Sequence, residues 1–172
     1  MEAAILMTES AALRAAEDAI GKSGGDLRRV FPSFFRGDGY LKAIADARAR
    51  EAEAARIAAR GGAICIVSPA KGGVYAALWE LGETLTSGMR VQMKKIPIRQ
   101  ETVEICEYLD IDPYAADSSG ALVIAAHDGV VLAETYAAAG IPCAVIGVLT
   151  DGRARTIEDG EHIRYLDKPR FH

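Results

Sequence analysis

The feature that most constrains the fold is an apolar run followed by a tight turn and an amphipathic segment. Residues 63–67 are apolar without a break and follow two glycines, which favours a short buried strand. Pro69 ends that strand because proline has no amide hydrogen for a ladder. From 74 to 84 the apolar residues fall on one helical face, at Val74, Ala77, Leu78 and Leu81. The segment therefore predicts a strand, a tight turn and a helix.

The turn between strand and helix is a candidate anion site. The first turn of a helix has amide hydrogens without intrahelical partners and carries partial positive charge. Ser68, Lys71, Gly72 and Gly73 could therefore bind a phosphate or a carboxylate. The spacing is not that of a P-loop, and no G-x-G-x-x-G motif is present. Two glycines at such a place more often form only a turn, so both interpretations stay open.

A second candidate loop precedes the apolar run at 121–125. Ser118, Ser119 and Gly120 give two hydroxyl groups and a glycine, which could hydrogen-bond the oxygens of a phosphate or a ribose. Serine and glycine are equally the ordinary residues of turns. We keep these three residues as second-rank phosphate or substrate ligands.

The rest of the chain alternates helical and strand patterns. The alanine-rich residues 1–60 predict a helical N-terminal part, and 40–60 is its longest helix. Residues 61–172 predict mixed strands and helices, with hairpins at Asp151-Gly152 and Asp159-Gly160. We expect one domain over 1–172 of class α+β: a layered α/β domain whose mixed β-sheet, of about four to six strands, is flanked by helices.

Composition narrows the classes of partner. Half of the residues are apolar and the net charge is −4, which fits one globular domain and lacks the basic patch of a nucleic-acid-binding protein. No apolar run is long enough for a membrane span, so we expect no membrane partner and a cytoplasmic location. The three cysteines are scattered, and neither His127 nor His162 has other ligand-type residues at metal-site spacing, so we predict no disulfide framework and no metal site.

Four segments, taken in order, resemble a known family. They are 68–81 (SPAKGGVYAALWEL), 95–102 (KIPIRQET), 112–114 (DPY) and 118–122 (SSGAL). Together they are similar to the C-terminal domain of the AIR synthase-related superfamily, and most similar to its hydrogenase maturation (expression/formation) factor branch. The resemblance runs over about residues 60–169 and implies the layered, partly ferredoxin-like fold of that domain.

The resemblance also implies that two domains with different functions form the complete protein. In the family, an N-terminal domain binds ATP and magnesium and builds a homodimer, while the C-terminal domain closes over the active site. We expect that N-terminal ATP-binding domain to be absent here, so that ATP and Mg would be bound mainly elsewhere and no cofactor by this chain alone. A partner maturation protein is a further implied partner, and the 118–120 loop is expected near the interdomain cleft.

Two departures from the family pattern bear on the reaction. The family's Asp-Pro-Thr loop is here Ser68-Pro69-Ala70, which removes a carboxylate and a hydroxyl group from the expected site. The chain also ends without the C-terminal cysteine that accepts a carbamoyl group in maturation factors. No catalytic residue can be assigned. We expect a substrate- and phosphate-facing domain of an ATP-dependent protein that is inactive alone; the alternative is a non-catalytic protein-docking or dimerisation module.

Overall fold

A computed structural model describes residues 3–170. It contains seven strands and five α-helices, joined in part by two 3₁₀ turns. The strands are β1 (Ala4–Thr8), β2 (Ala63–Val67), β3 (Gly88–Gln92), β4 (Val123–Ala126), β5 (Cys143–Thr150), β6 (Arg155–Asp159) and β7 (His162–Tyr165). The helices are α1 (Leu13–Val30), α2 (Gly39–Arg60), α3 (Gly73–Leu85), α4 (Gln100–Tyr108) and α5 (Gly129–Ala138).

All strands join one mixed sheet in the order β2-β4-β1-β5-β3-β6-β7. Every pairing is antiparallel except that of β3 with β6, which is parallel. The predicted α+β class and helix-flanked mixed sheet are confirmed, although the sheet has seven strands where four to six were expected. Strands β2 and β7 form its two edges.

Helices cover the sheet on both faces. Helix α3 packs on one face against a core that includes Met7, Val91 and Ile146. Helices α2 and α5 pack on the other face around Leu6 and Ile124. A third cluster joins α1, α2 and α4 and lies beside these layers. Neighbouring residues of β1 thus face opposite cores, as the two-residue period of a strand requires.

The prediction of a helical start for the N-terminal segment is wrong. Residues 4–8, predicted as part of a helical start, form an inner strand, and residues 1 and 2 lie outside the described range. Ile5, Leu6 and Met7 are all fully buried. A strand buried on both faces is an apolar run without alternation, and helical propensity cannot distinguish it from a short helix.

The turn at Asp151-Gly152 corrects a second prediction. It does not make a hairpin, because β5 pairs with β3 and β6 lies on the far side of β3. The predicted hairpin at Asp159-Gly160 is confirmed by the antiparallel pairing of β6 with β7. Among the described residues, no helix combines the length and apolar character needed to cross a membrane.

Candidate functional site

The turn between β2 and α3 depends on two glycines. Gly72 and Gly73 have φ angles of 83° and 67°, in the left-handed region that glycine adopts without strain. A Cβ added at Gly73 would lie 2.5 Å from the carbonyl oxygen of Ala116. Gly73 is therefore required both for its backbone conformation and for the close approach of the chain around Ala116.

The close approach joins the two predicted site loops. The Ser118 amide donates to the carbonyl oxygen of Pro69 over 2.8 Å, and the Tyr75 amide donates to that of Tyr114 over 3.0 Å. The Tyr75 and Tyr114 rings lie 5.8 Å apart between centroids. We call residues 68–73 the outer turn and residues 112–120 the inner loop. The fold places the outer turn and the inner loop in contact.

The helix terminus behind the outer turn is partly occupied by protein carbonyls. The Gly73 amide donates to the carbonyl oxygen of Ala70 over 3.0 Å, and the Tyr75 amide is held by Tyr114. Amides that already have an acceptor are poor donors to a ligand. An anion at this turn would therefore depend mainly on the side chains of Ser68 and Lys71.

Ser68 and Lys71 line one cleft of about 370 Å³. The remaining lining comes from α3 and from the segment after β7: Ala76, Ala77, Trp79, Glu80, Glu83, Lys168 and Pro169. Lys71 and Lys168 can balance the charge of a phosphate, while the two glutamates would oppose it. Sequence reasoning missed Lys168, since nothing in the pattern of 167–170 indicates that this segment returns to α3.

The inner loop uses its polar groups within the protein. The Ser118 side chain is fully buried; its Oγ accepts the Ala12 amide over 2.7 Å and donates to the carbonyl oxygen of Ala116 over 3.0 Å. The Ser119 hydroxyl donates to Asp117, which also accepts the Ser119 amide over 2.9 Å. These bonds are those of a self-supporting loop.

Ser119 and Gly120 line a different cavity, of about 230 Å³, together with residues of α1 and α2. Gly120 has a φ of 100°, and a Cβ added there would come within 3.5 Å of the Arg48 amide nitrogen on α2. The seven predicted site residues therefore do not form one surface. Ser68 and Lys71 line one cleft, and Ser119 and Gly120 line another. Ser118 and Gly73 are buried, and Gly72 is half-buried in the outer turn.

The turn between β1 and α1 is a buried polar feature that the sequence did not reveal. Glu9 is 4% exposed and has a φ of 59°, which is rare for a residue other than glycine. Arg50 donates to both of its carboxylate oxygens, over 2.9 and 2.7 Å, and this pairing raises the pKa of Arg50. The pair anchors α2 beside the inner loop. No sequence pattern marks a glutamate for this conformation.

The thiol and phenol groups near the cores are held in their neutral forms. Burial raises the pKa of Cys106 to about 11, that of Cys143 to about 12 and that of Tyr75 to about 12. Arg164 donates to the Tyr75 hydroxyl oxygen. None of these groups is poised as a nucleophile near pH 7. Within residues 3–170, no group of three or more His, Cys, Asp or Glu side chains could hold a metal ion.

The sequence of this chain, including both loops, matches a known family. The model of the AIR synthase related protein, C-terminal domain, matches residues 8–160. The chain belongs to this family. A carbamoyl dehydratase HypE of Rhizobium leguminosarum bv. viciae is 33% identical over 110 residues, which cover 60% of this chain and 31% of that relative.

Solved structures of HypE proteins share the fold. The hydrogenase maturation protein HypE of E. coli matches with a TM-score of 0.73 at 19% identity, over 98% of this chain and 50% of that one. A HypE in complex with ATP matches at 0.56 and 21% identity, over 64% and 37%. A HypE-HypF complex matches at 0.63 and 16% identity, over 97% and 53%. This chain thus spans about half the length, or less, of the proteins it matches.

Proposed function

We propose that this chain is the substrate- and phosphate-facing C-terminal domain of a HypE-like, ATP-dependent protein. On this proposal it has no activity alone, and an ATP-binding domain completes its site. The outer turn supplies the ligand contacts mainly through the side chains of Ser68 and Lys71, and Gly72 and Gly73 give the turn the conformation that presents them. The inner loop, with Ser118, Ser119 and Gly120, fixes the position of the outer turn and borders the site.

One observation carries the proposal: the outer turn presents two exposed polar side chains, Ser68 and Lys71, at one cleft. Gly73 lies against Ala116, so the outer turn rests on the inner loop. Ser68 and Lys71 remain exposed at the cleft beside Lys168. A hydroxyl group and ammonium groups suit the oxygens of a phosphate. The HypE solved with ATP shows that a protein of this fold binds a nucleotide.

The donor set fits a phosphate group better than a magnesium ion. Mg²⁺ binds through carboxylates and water together with substrate phosphates. At this cleft the carboxylates are Glu80 and Glu83, which are exposed on α3 and lie one helical turn apart. We therefore assign the phosphate end of the ligand to this chain. Mg²⁺ and most of the nucleotide are assigned to the ATP-binding domain.

The expected affinity of the isolated chain is low. Each charge-assisted hydrogen bond contributes about 1.5–3 kcal/mol, and a helix terminus about 0.3–1 kcal/mol. After association costs, two or three such contacts give binding only in the millimolar range. Titration of the purified chain with ATP and with inorganic phosphate should show weak saturable binding. Lys71→Ala should weaken it several-fold, while Lys22→Ala, an exposed lysine on α1, should leave it unchanged.

The requirement for a second domain is tested separately. The chain alone should not hydrolyse ATP, and a separately purified ATP-binding domain of a HypE relative should restore turnover when added. ATP hydrolysis by the chain alone, sensitive to Lys71→Ala, would contradict the proposal. Equal anion binding by the Lys71→Ala and Lys22→Ala variants would show that the outer turn is not part of the anion site.

A second candidate function is docking to a partner maturation protein, with self-association of the chain. It is favoured by the HypE-HypF complex among the structural neighbours and by exposed apolar side chains on β7. Ile163 and Tyr165 are 66% and 72% exposed and point to the same face of the sheet. Calorimetry with a purified HypF protein tests it: binding that Ile163→Ser abolishes would favour docking, and no heat of binding would remove this candidate.

A further inference from the structure

We propose that the cleft between the start of α2 and the start of α4 binds a small zwitterion, whose carboxylate contacts Arg99 and whose ammonium group contacts Glu101. A free α-amino acid has this chemistry. The residues that line this cleft differ from those that line the cleft of Ser68 and Lys71. The proposal therefore goes beyond the proposed function and does not depend on it.

The cleft has the size of a small-molecule site. Its volume is about 440 Å³, within the range of about 300–1,000 Å³ that is common for such sites. The turn before α2 and the first residues of α2 form one wall, and the residues at the start of α4 form the other. The lining residues are Ser33, Phe34, Gly37, Gly39, Tyr40, Arg99, Gln100 and Glu101. The last three belong to the segment 95–102, to which the proposed function gives no role.

Two glycines keep the cleft open. Gly37 and Gly39 do not have φ angles in the left-handed region, so neither glycine is required by its backbone conformation. A Cβ added at either position would meet no atom of the described chain within 4 Å. The space beside both residues is therefore free for a ligand, and a side chain at either position would enter that space.

Arg99 has a hydrogen-bond donor that the protein does not satisfy. Its Nη2 donates to Glu101 over 3.0 Å, whereas its Nε is buried and has no acceptor among the residues that the structure describes. A buried donor without a partner costs free energy, and arginine binds carboxylates through two parallel N–H groups. The Arg99 side chain is 38% exposed, so it can turn Nε toward a carboxylate in the cleft without disturbing the core.

Two aromatic rings form the apolar part of the cleft. The Arg99 guanidinium lies over the Tyr40 ring, with Cζ 5.7 Å from the ring centroid. The Tyr40 hydroxyl oxygen lies 2.7 Å from the Thr102 Oγ1, and burial raises the pKa of Tyr40 to about 12, so the phenol is neutral. Phe34 is half-buried and meets the Tyr40 ring edge-on, with centroids 6.5 Å apart. An apolar side chain of a ligand can pack against this wall.

Glu101 determines which kind of charged ligand fits. Burial by itself would raise its pKa, but hydrogen bonds from its own amide and from Arg99, together with the charge of Arg99, lower the pKa of Glu101. The carboxylate is therefore ionised at neutral pH. A purely anionic ligand would be attracted by Arg99 and repelled by Glu101, whereas an ammonium group is attracted by Glu101. The two side chains together match a ligand that carries both charges.

Amide NMR titration of the purified chain with L-phenylalanine tests the site, because this amino acid adds an aromatic side chain to the two charges. We expect saturable shifts at residues 33–40 and 99–101. L-Phenylalaninamide lacks the carboxylate and N-acetyl-L-phenylalanine lacks the ammonium group, so each should have a dissociation constant at least about tenfold higher. Inorganic phosphate should leave these signals unchanged.

Variants test the charge and the space separately. Arg99→Gln should raise the dissociation constant for L-phenylalanine at least about tenfold, whereas Arg60→Gln, at an exposed arginine at the other end of α2, should leave it unchanged. Gly39→Leu and, as a second variant, Gly37→Leu should abolish binding because they fill the cleft. Gly25→Leu, at a glycine of α1 that also has free space beside it, is the matched control. Circular dichroism verifies that each variant is folded.

Three results would overturn parts of this proposal. Unchanged signals at 33–40 and 99–101 with both L-phenylalanine and glycine, the smallest α-amino acid, would overturn the site. Equal binding of L-phenylalanine and N-acetyl-L-phenylalanine would overturn the role of Glu101 and with it the zwitterion. Undiminished binding by both leucine variants, Gly39→Leu and Gly37→Leu, would place the ligand outside the cleft. None of these results affects the phosphate site at the outer turn.

Discussion

The outer turn and the inner loop contain the same kinds of residue but use them differently. Both combine serine and glycine next to a strand, and the two are in contact. In the outer turn, Ser68 and Lys71 are exposed at a cleft. In the inner loop, the Ser118 hydroxyl is buried and bonded on both sides. Composition alone therefore cannot distinguish a ligand-facing turn from a supporting one. The burial and hydrogen-bond partners of the serine side chains distinguish them.

The largest expected effect comes from adding a methyl group where the two loops touch. Gly73→Ala puts a Cβ 2.5 Å from the Ala116 carbonyl oxygen and forces alanine into a left-handed conformation. Overpacking and backbone strain together should lower the free energy of unfolding by about 2–4 kcal/mol. Urea unfolding followed by circular dichroism measures this change.

Gly62→Ala is the matched control for that variant. Gly62 also has a positive φ, of 78°, but no atom lies within 4 Å of its added Cβ. It should lose only the conformational part, about 1 kcal/mol. Equal losses for the two variants would mean that the contact between the outer turn and the inner loop contributes nothing.

An intermediate effect is expected for Ser118→Ala. The change removes the acceptor of the Ala12 amide and leaves a buried donor unsatisfied, which costs about 1–3 kcal/mol. Ser119→Ala, whose half-buried hydroxyl bonds only to its neighbour Asp117, should cost less than about 1 kcal/mol. If Ser119→Ala proved the more damaging of the two in thermal unfolding, the supporting role assigned to Ser118 would be wrong.

The smallest effect on stability is expected for Lys71→Ala. Lys71 is exposed, so the free energy of unfolding should change by less than about 0.5 kcal/mol while anion binding falls. A variant that no longer folds would show that Lys71 is structural, and the outer turn would then resemble the inner loop. Chemical unfolding and phosphate titration of the same preparation decide this.

The sequence predicted the outer turn well because its signals are local. The apolar run Ala63–Val67, Pro69 and the glycine pair each act on their nearest neighbours, and strand, turn and helix lie where they were expected. Strand β1 was missed because its burial on both faces is produced by strands far away in the chain. The failed hairpin at Asp151-Gly152 has the same cause, since β3 separates β5 from β6.

Only part of the site could be predicted from the sequence, because the rest also depends on contacts between distant segments. The family motif identified both loops, but it did not show that Ser118 is buried or that Lys168 returns to the cleft of Ser68 and Lys71. These facts depend on contacts between segments about 50 and 100 residues apart, for which local patterns carry no information. Glu9 and Arg50, 41 positions apart, are a further example.

A backbone amide NMR titration of the purified chain with millimolar ATP and, separately, inorganic phosphate tests directly whether the outer turn faces the ligand. We expect the largest shifts at residues 68–74, with smaller ones at 118–120 transmitted through the bond between the Ser118 amide and Pro69. Unchanged signals at 68–74 would contradict this expectation: the outer turn would be a connection only, and partner docking would become the better explanation of this domain.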